Sequence, residues 1–167
     1  AQLRGQAFRL SPYDALLDHY SPGVNQAFID PIFAELQAFL PSFIQEVMEK
    51  QAKQSVIEPT GKFPIELQMQ LAHRLMETLG FDFNHGRLDT SHHPFCTNLG
   101  TDVRITTRYS EDTLGSSLMA VSHETGHALY EQHRPTAWLK QPVGHPLGMS
   151  VHESQSLLIE MQRSEEH

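Results

Sequence analysis

Two histidines spaced four residues apart, with a glutamate directly after the first, form the most distinctive chemical pattern in this sequence. They are His123 and His127, with Glu124 between them, in the run His-Glu-Thr-Gly-His. On a helix, residues i and i+4 lie one turn apart on the same face, so both imidazoles can bind one metal ion. The glutamate then lies near the open side of that ion, where it can take a proton from a metal-activated water. The spacing therefore predicts a zinc-type hydrolytic site.

A hydrolytic zinc site of this kind needs a third protein ligand. In metzincins this ligand is a histidine in an extension of the motif, and the Ala-Leu-Tyr-Glu-Gln-His that follows His127 does not match that extension. A glutamate on a second helix is the remaining option, and Glu153 lies at the start of the last predicted helix. Two plainer explanations stay open. Glu153 is also an ordinary acid in a first helical turn, where the helix dipole favours it, and 11 histidines in 167 residues make a fortuitous motif less improbable.

The motif must be positioned by a helix, and the sequence predicts one from about residue 114 to about residue 133, where Arg134-Pro135 ends it. A final helix is predicted to begin near Ser150. Between residues 102 and 109, polar and apolar residues alternate and several are β-branched, which indicates a half-buried strand. The 81–100 stretch, rich in Asn, Gly, Asp, Ser and His, is predicted to be irregular.

The first eighty residues are predicted to be helical. Apolar residues at helical spacing, each run opened by a proline, predict four helices, over 12–20, 31–40, 41–53 and 64–79. Gly80 is predicted to end the last of them, since glycine readily adopts the left-handed conformation of a helix C-cap. One strand among many helices makes the predicted fold class mainly α.

Composition limits the classes of partner and compartment. The net charge of −8 argues against a nucleic-acid or anionic-membrane partner, because the field of the protein repels phosphate. No segment is predicted to reach the roughly 18 apolar residues of a membrane span. The single cysteine excludes a disulfide framework and favours a cytoplasmic location. The chain also lacks an initiator methionine, and we expect it to begin part-way through a longer protein.

Four motifs in this order resemble the carboxypeptidase Taq (M32) family of metallocarboxypeptidases. Besides the His-Glu-Thr-Gly-His motif, they are His-Pro-Phe at 93–95, Asp-Val-Arg-Ile-Thr at 102–106 and His-Glu-Ser-Gln-Ser at 152–156. Motifs linked in order are more specific than one isolated motif. The resemblance implies a helical zincin-type catalytic segment with a short strand beside the motif helix.

The resemblance also implies roles for individual residues. His123, His127 and Glu153 would bind the metal, usually Zn²⁺ with Co²⁺ as a substitute, and Glu124 would be the general base. The activity implied is the removal of C-terminal residues from peptide substrates. His93 lies near the active site in such folds, although a structural role beside Pro94 is an equal alternative.

Arg104 lies along the substrate groove in this family, so the resemblance implies that it holds peptide or shapes the site. The resemblance divides the chain into a helical support region, 1–80, and a region with the motifs and the metal site, 81–167. It allows a homodimer of the full-length protein. Later family motifs are absent, so we expect a partial catalytic domain whose own activity is in doubt. Two other readings stay open: an endo- or oligopeptidase on a related helical zincin scaffold, and a non-catalytic helical module with a structural or fortuitous metal site.

Overall fold

The structure is a computed structural model that describes residues 1–55 and 59–162. The chain forms two compact units, 1–59 and 60–167. These units are defined by contacts between residues. The boundary predicted at residue 80 instead separates a helical support region from the region that carries the motifs. That functional partition stays a prediction.

The first unit is built from helices α1 (Gln2–Phe8), α2 (Pro12–Tyr20) and α3 (Gln26–Gln51). The prediction of a helix over 12–20 is confirmed. It begins where expected because the Ser11 hydroxyl accepts a hydrogen bond from the backbone N–H of Asp14, which satisfies one of the free donors of the first turn.

Helix α3 corrects the prediction of two separate helices over 31–40 and 41–53, because it runs through both Pro31 and Pro41. An interior proline removes one hydrogen bond and its ring crowds the carbonyl of the preceding turn, at a cost of about 3 kcal/mol, but its fixed φ is compatible with a helix. The apolar spacing therefore continues through both prolines. The helix begins earlier than predicted, at Gln26, where the side chain of the N-cap residue Asn25 accepts a hydrogen bond from the backbone N–H of Phe28.

The fused helix α3 also bears on the expectation that no segment is long and apolar enough to span a membrane. By length and composition α3 is such a segment, and dividing it at its prolines hid this. One helix of this kind is weak evidence, so length and composition alone do not assign α3 to a membrane.

The second unit begins with helix α4 (Ile65–Leu79), which confirms the prediction over 64–79. Gly80 ends the helix as predicted, at a φ of 98°, where a side chain would be strained. The buried Gln68 fixes α4 to the next helix, because its Oε1 accepts a hydrogen bond of 2.8 Å from the hydroxyl of Ser117.

Three strands form a small sheet in the order β1-β3-β2: β1 (Gly86–Thr90), β2 (Phe95–Leu99) and β3 (Asp102–Thr107). The strand predicted from residue 102 is β3, which pairs in parallel with β1 and antiparallel with β2. The prediction that 81–100 is irregular is wrong. Strand β1 is held by hydrogen bonds to the more distant β3, whereas β2 forms a hairpin with β3 in which Leu99 pairs with Asp102, and polar residues in both strands hid the pattern.

The core of this unit lies between β3 and helix α5 (Gly115–Gln132), which confirms the helix predicted over 114–133. Val103 and Ile105 of β3 and Val121 and Ala128 of α5 are fully buried. Burial of a Val or Ile side chain contributes about 1.5–3 kcal/mol, so this contact fixes α5 against the sheet. Helix α6 (Met149–Leu157) packs on α5 and ends in a π-helical turn, Leu158–Gln162. The fold is mainly α, as predicted.

Candidate metal centre

Helix α5 presents the two histidines of the motif on one face. His123 and His127 lie one turn apart, with ring centroids separated by 5.0 Å and ring planes inclined at 76°. Their side chains are 24% and 12% exposed, so both rings are partly sheltered and still reachable from solvent. The helical placement of the motif therefore gives the geometry that the spacing predicted.

Helix α6 brings Glu153 to the same place. Its Oε1 lies 3.5 Å from His123 Nε2, and its Oε2 lies 3.3 Å from His127 Nε2. One ligand atom from each of the three residues lies within 4.8 Å of the others. Two imidazole nitrogens and one carboxylate oxygen are the donor set of a catalytic zinc site with an open position, so these residues fit such an ion.

The close approach of α5 and α6 depends on Gly126, within the motif. A Cβ atom at this position would lie 2.5 Å from the Cα of Ser156 and 2.6 Å from the carbonyl oxygen of Gln155. Both are backbone atoms of α6 and cannot rotate away. The missing side chain at residue 126 is what lets α6 hold Glu153 against the two histidines.

The remaining ring nitrogens of the two histidines have partners that the sequence did not reveal. His123 Nδ1 lies 2.8 Å from Glu160 Oε2, and His127 Nδ1 lies 2.6 Å from His152 Nδ1. The sequence placed His152 in the His-Glu-Ser-Gln-Ser motif, as a possible neighbour of the metal ligands, and did not point to Glu160. Glu160 follows Glu153 by seven residues, about two turns, which was the only signal available.

A buried cluster of polar groups lies behind His152. One oxygen of Glu131 lies 2.8 Å from His152 Nε2, and the other accepts a hydrogen bond of 2.8 Å from Asn98 Nδ2. The guanidinium of Arg134 forms an ion pair with that second oxygen, its Nε lying 2.7 Å away. Burial raises the pKa of the Glu131 carboxyl, but the hydrogen bond to His152 and the charge of Arg134 outweigh burial and lower it below its usual value. Glu131 is therefore held as a carboxylate.

This lowered pKa predicts how acid affects stability. An acid whose folded-state pKa lies below its unfolded-state pKa stabilises the fold above the unfolded value of 4.5, and that contribution is lost as the pH falls through the folded value. We expect the urea-unfolding free energy of the metal-free chain to fall between about pH 6 and about pH 3.5, and to fall less in Glu131→Gln. The exposed Glu77→Gln should keep the wild-type slope; an equal slope in Glu131→Gln would contradict the assignment.

Glu124 is 8% exposed beside the metal-facing atoms. Burial, assisted by the nearby Glu153 carboxylate, raises the pKa of Glu124, although the imidazoles of His123 and His93 oppose the shift. A raised pKa makes a carboxylate a stronger base, which suits proton transfer near neutral pH.

His93 lies close enough to Glu124 to influence its charge, and Thr106 holds it there. The Thr106 hydroxyl donates to the carbonyl oxygen of His93 at 3.0 Å and accepts from the backbone N–H of Phe95 at 3.1 Å. The Thr of the Asp-Val-Arg-Ile-Thr motif thus anchors the loop that carries the His-Pro-Phe motif. The role of His93 stays a prediction.

Arg104 is not brought together with the other predicted site residues. Its neighbours on β3, Val103 and Ile105, are buried against α5, so Arg104 points from the opposite face of the sheet. There it is exposed, and its guanidinium pairs with Asp102 at 2.7 Å. If Arg104 binds peptide, as the resemblance implies, the peptide must contact that face of the sheet.

This chain is similar to known proteins that are named as carboxypeptidases. Carboxypeptidase 1 of Bacillus subtilis (strain 168) is 41% identical over 150 residues, which are 89% of this chain and 30% of that protein. Thermostable carboxypeptidase 1 of Thermus thermophilus is 40% identical over 145 residues, 86% of this chain and 28% of that protein. The chain thus spans less than a third of the length of these relatives.

Solved structures give the same result. "Trypanosoma Cruzi Metallocarboxypeptidase 1" superimposes with a TM-score of 0.92 at 46% identity, over 96% of this chain and 34% of that chain. All of residues 1–167 match the model of the family described as "Carboxypeptidase Taq (M32) metallopeptidase". The resemblance drawn from the four motifs is confirmed, and this chain belongs to the M32 family of metallopeptidases.

Proposed function

We propose that this protein is a zinc-dependent carboxypeptidase that hydrolyses C-terminal peptide bonds. The observation that carries the proposal is the convergence of two imidazole Nε2 atoms and a carboxylate beside the buried Glu124. The family of the chain, and the printed names of its relatives, agree with this activity. Because the chain spans only part of those relatives, the activity is proposed for the whole protein.

His123, His127 and Glu153 would hold the ion, with Co²⁺ as an alternative to Zn²⁺. When bound, the ion supplies Lewis acidity, which lowers the pKa of water and polarises a carbonyl oxygen. The half-exposed Glu153 leaves one side of the cluster open to solvent, so a peptide can approach from there.

Glu124 moves the proton. Its carboxylate takes a proton from the attacking water, and the raised pKa of the group then allows it to pass that proton to the leaving amine nitrogen. His93, held beside Glu124 by Thr106, is proposed to orient the substrate near the reacting carbonyl. Arg104 is proposed to hold the peptide on the face of the sheet opposite α5.

We further propose a cytoplasmic location and a peptide substrate, with no nucleic-acid or membrane partner. The single cysteine fits a reducing compartment, and the net charge of −8 opposes binding to phosphate. A homodimer of the whole protein stays a prediction of the resemblance.

Metal content tests the site directly. We expect one Zn²⁺ per purified chain, removable by a chelator, because three protein donors converge on one point. Glu153→Ala should weaken Zn²⁺ binding by more than the roughly 10–100-fold typical of a lost outer-shell partner, since it removes a ligand itself. Glu77→Ala, on the exposed side of α4, should bind as the wild type does. A purified chain without zinc, or a Glu153→Ala variant with wild-type zinc affinity, would show that the motif is fortuitous.

Matched peptides test the reaction. The whole protein should release the last residue of peptides with a free C-terminal carboxylate and leave their C-terminally amidated counterparts uncut. Equal cleavage of both would indicate an endo- or oligopeptidase. Bound zinc with cleavage of neither would indicate a non-catalytic module with a structural site. Either result contradicts the proposal.

A further inference from the structure

The two histidines of the metal centre are supported in unequal ways. Both present Nε2 toward Glu153, so a metal-binding role needs the lone pair at Nε2 and the proton at Nδ1 of each ring. His123 Nδ1 can give its proton directly to a carboxylate, Glu160, at 2.8 Å. His127 Nδ1 faces another imidazole, His152, at 2.6 Å. The tautomer of His127 therefore depends on the tautomer of His152.

We propose that His152, anchored by Glu131, is the positioning residue that holds His127 in its metal-binding tautomer and orientation. The proposal rests on the proposed function, because it takes His127 to be a ligand. His152 itself does not face the point where the three ligand atoms converge.

The hydrogen-bond geometry allows one consistent arrangement of protons in which His127 can bind a metal. If His127 Nδ1 donates, His152 Nδ1 must accept, and the proton of neutral His152 then lies on Nε2. That Nε2 faces Glu131 Oε1 at 2.8 Å, and a carboxylate can only accept. Glu131 thus fixes the proton of His152, and His152 fixes the proton of His127.

The end of this chain of hydrogen bonds is itself fixed. The second oxygen of Glu131 is occupied by Asn98 Nδ2 and by the nearly buried guanidinium of Arg134. A positive charge and an amide donor on the same oxygen keep the carboxylate ionised and stop it from rotating. Oε1 of Glu131 is therefore a fixed acceptor for Nε2 of His152.

Packing also restrains the His152 ring. Its side chain is 14% exposed, and the Tyr130 ring lies edge-on to it with centroids 5.0 Å apart. The Tyr130 hydroxyl accepts a hydrogen bond from the backbone N–H of Leu147, just before α6. Because His152 directly precedes Glu153, one turn of α6 supplies a ligand and the support of another.

Zinc affinity of the 167-residue chain tests the proposal through three variants of His152. His152→Ala should raise the Zn²⁺ dissociation constant by about 10–100-fold, the usual effect of losing an outer-shell partner, measured by competition with a chromophoric chelator. His152→Asn places an oxygen acceptor near the position of Nδ1 and should recover part of this loss. His152→Gln places its amide near the position of Nε2 and should not. The exposed His145→Asn is the matched control and should bind as the wild type does.

The tautomer of His127 gives a second readout that needs no metal and that a merely structural role would not move. In metal-free Glu153→Ala, which lacks the carboxylate 3.3 Å from His127 Nε2, ¹⁵N NMR at a pH where imidazoles are neutral should show the His127 proton on Nδ1. Adding His152→Ala to this variant should redistribute the proton toward Nε2. A wild type that binds no zinc would refute the proposed function, while this readout would still decide whether His152 sets the tautomer of His127.

Two results would overturn the proposed role of His152. One is a His152→Ala chain that binds zinc like the wild type and, when combined with Glu153→Ala, keeps the proton of His127 on Nδ1. If His152→Ala does not fold, the comparison of the other two variants decides. Zinc binding by His152→Gln that is as tight as, or tighter than, binding by His152→Asn would show that an acceptor at the position of Nδ1 is irrelevant. His152→Asn binding more tightly than His152→Gln supports the proposal in either case.

Discussion

Replacing Glu124 with Gln should lower kcat for peptide hydrolysis by about 10²–10⁴-fold, the range that general-base catalysis contributes. Gln keeps the size and hydrogen-bonding reach of Glu but cannot accept a proton from water. The pKa of Glu124 is raised mainly by burial, so the wild-type carboxylate is a stronger base than an exposed one. The group removed is therefore matched to its proposed task.

Zinc binding separates this loss from damage to the site. Glu124 is not among the three residues whose ligand atoms converge, so Glu124→Gln should bind one Zn²⁺ with wild-type affinity. The measurement is kcat on a free-carboxylate peptide beside the zinc dissociation constant, with Glu77→Gln as the control. A variant that holds zinc and hydrolyses peptide at the wild-type rate would remove Glu124 from the mechanism.

The elements that the sequence predicted correctly are those that local signals define. Helix α2 has a serine cap, α4 has a glycine C-cap, and β3 alternates polar and apolar residues over its first four positions. Strands β1 and β2 were missed because each is held by hydrogen bonds to β3 rather than by its own pattern. The length of α3 was missed because its prolines resemble helix starts.

The candidate site divides along the same line. The motif and Glu153 could be named because the i, i+4 spacing has a fixed geometric meaning and the resemblance supplied the second helix. The contacts of His127 with His152, and of His152 with Glu131, span 25 and 21 residues and depend on how α5 and α6 cross. No sequence period encodes that crossing, so these partners emerge only from the packed structure.

Replacing Gly126 with Ala should separate the two helices that carry the ligands. Helix propensity alone favours Ala over Gly by about 1 kcal/mol. The added Cβ would lie 2.5 Å from the Cα of Ser156 and 3.0 Å from the carbonyl carbon of Gln155, neither of which can change rotamer. Overpacking of this kind costs about 1–3 kcal/mol, so we expect net destabilisation of the metal-free chain.

The same clash should reach the metal centre, because any shift of α6 away from α5 carries Glu153 away from His123 and His127. We expect the Zn²⁺ dissociation constant of Gly126→Ala to rise by at least about 10-fold, as for the loss of an outer-shell partner. Gly115→Ala is the matched control in the same helix, since nothing lies within 4 Å of its added Cβ. It should leave affinity unchanged and stability equal or slightly higher. If Gly126→Ala instead stabilised the metal-free chain by the 1 kcal/mol that propensity predicts, the close crossing would not govern the site, and the glycine would be merely tolerated.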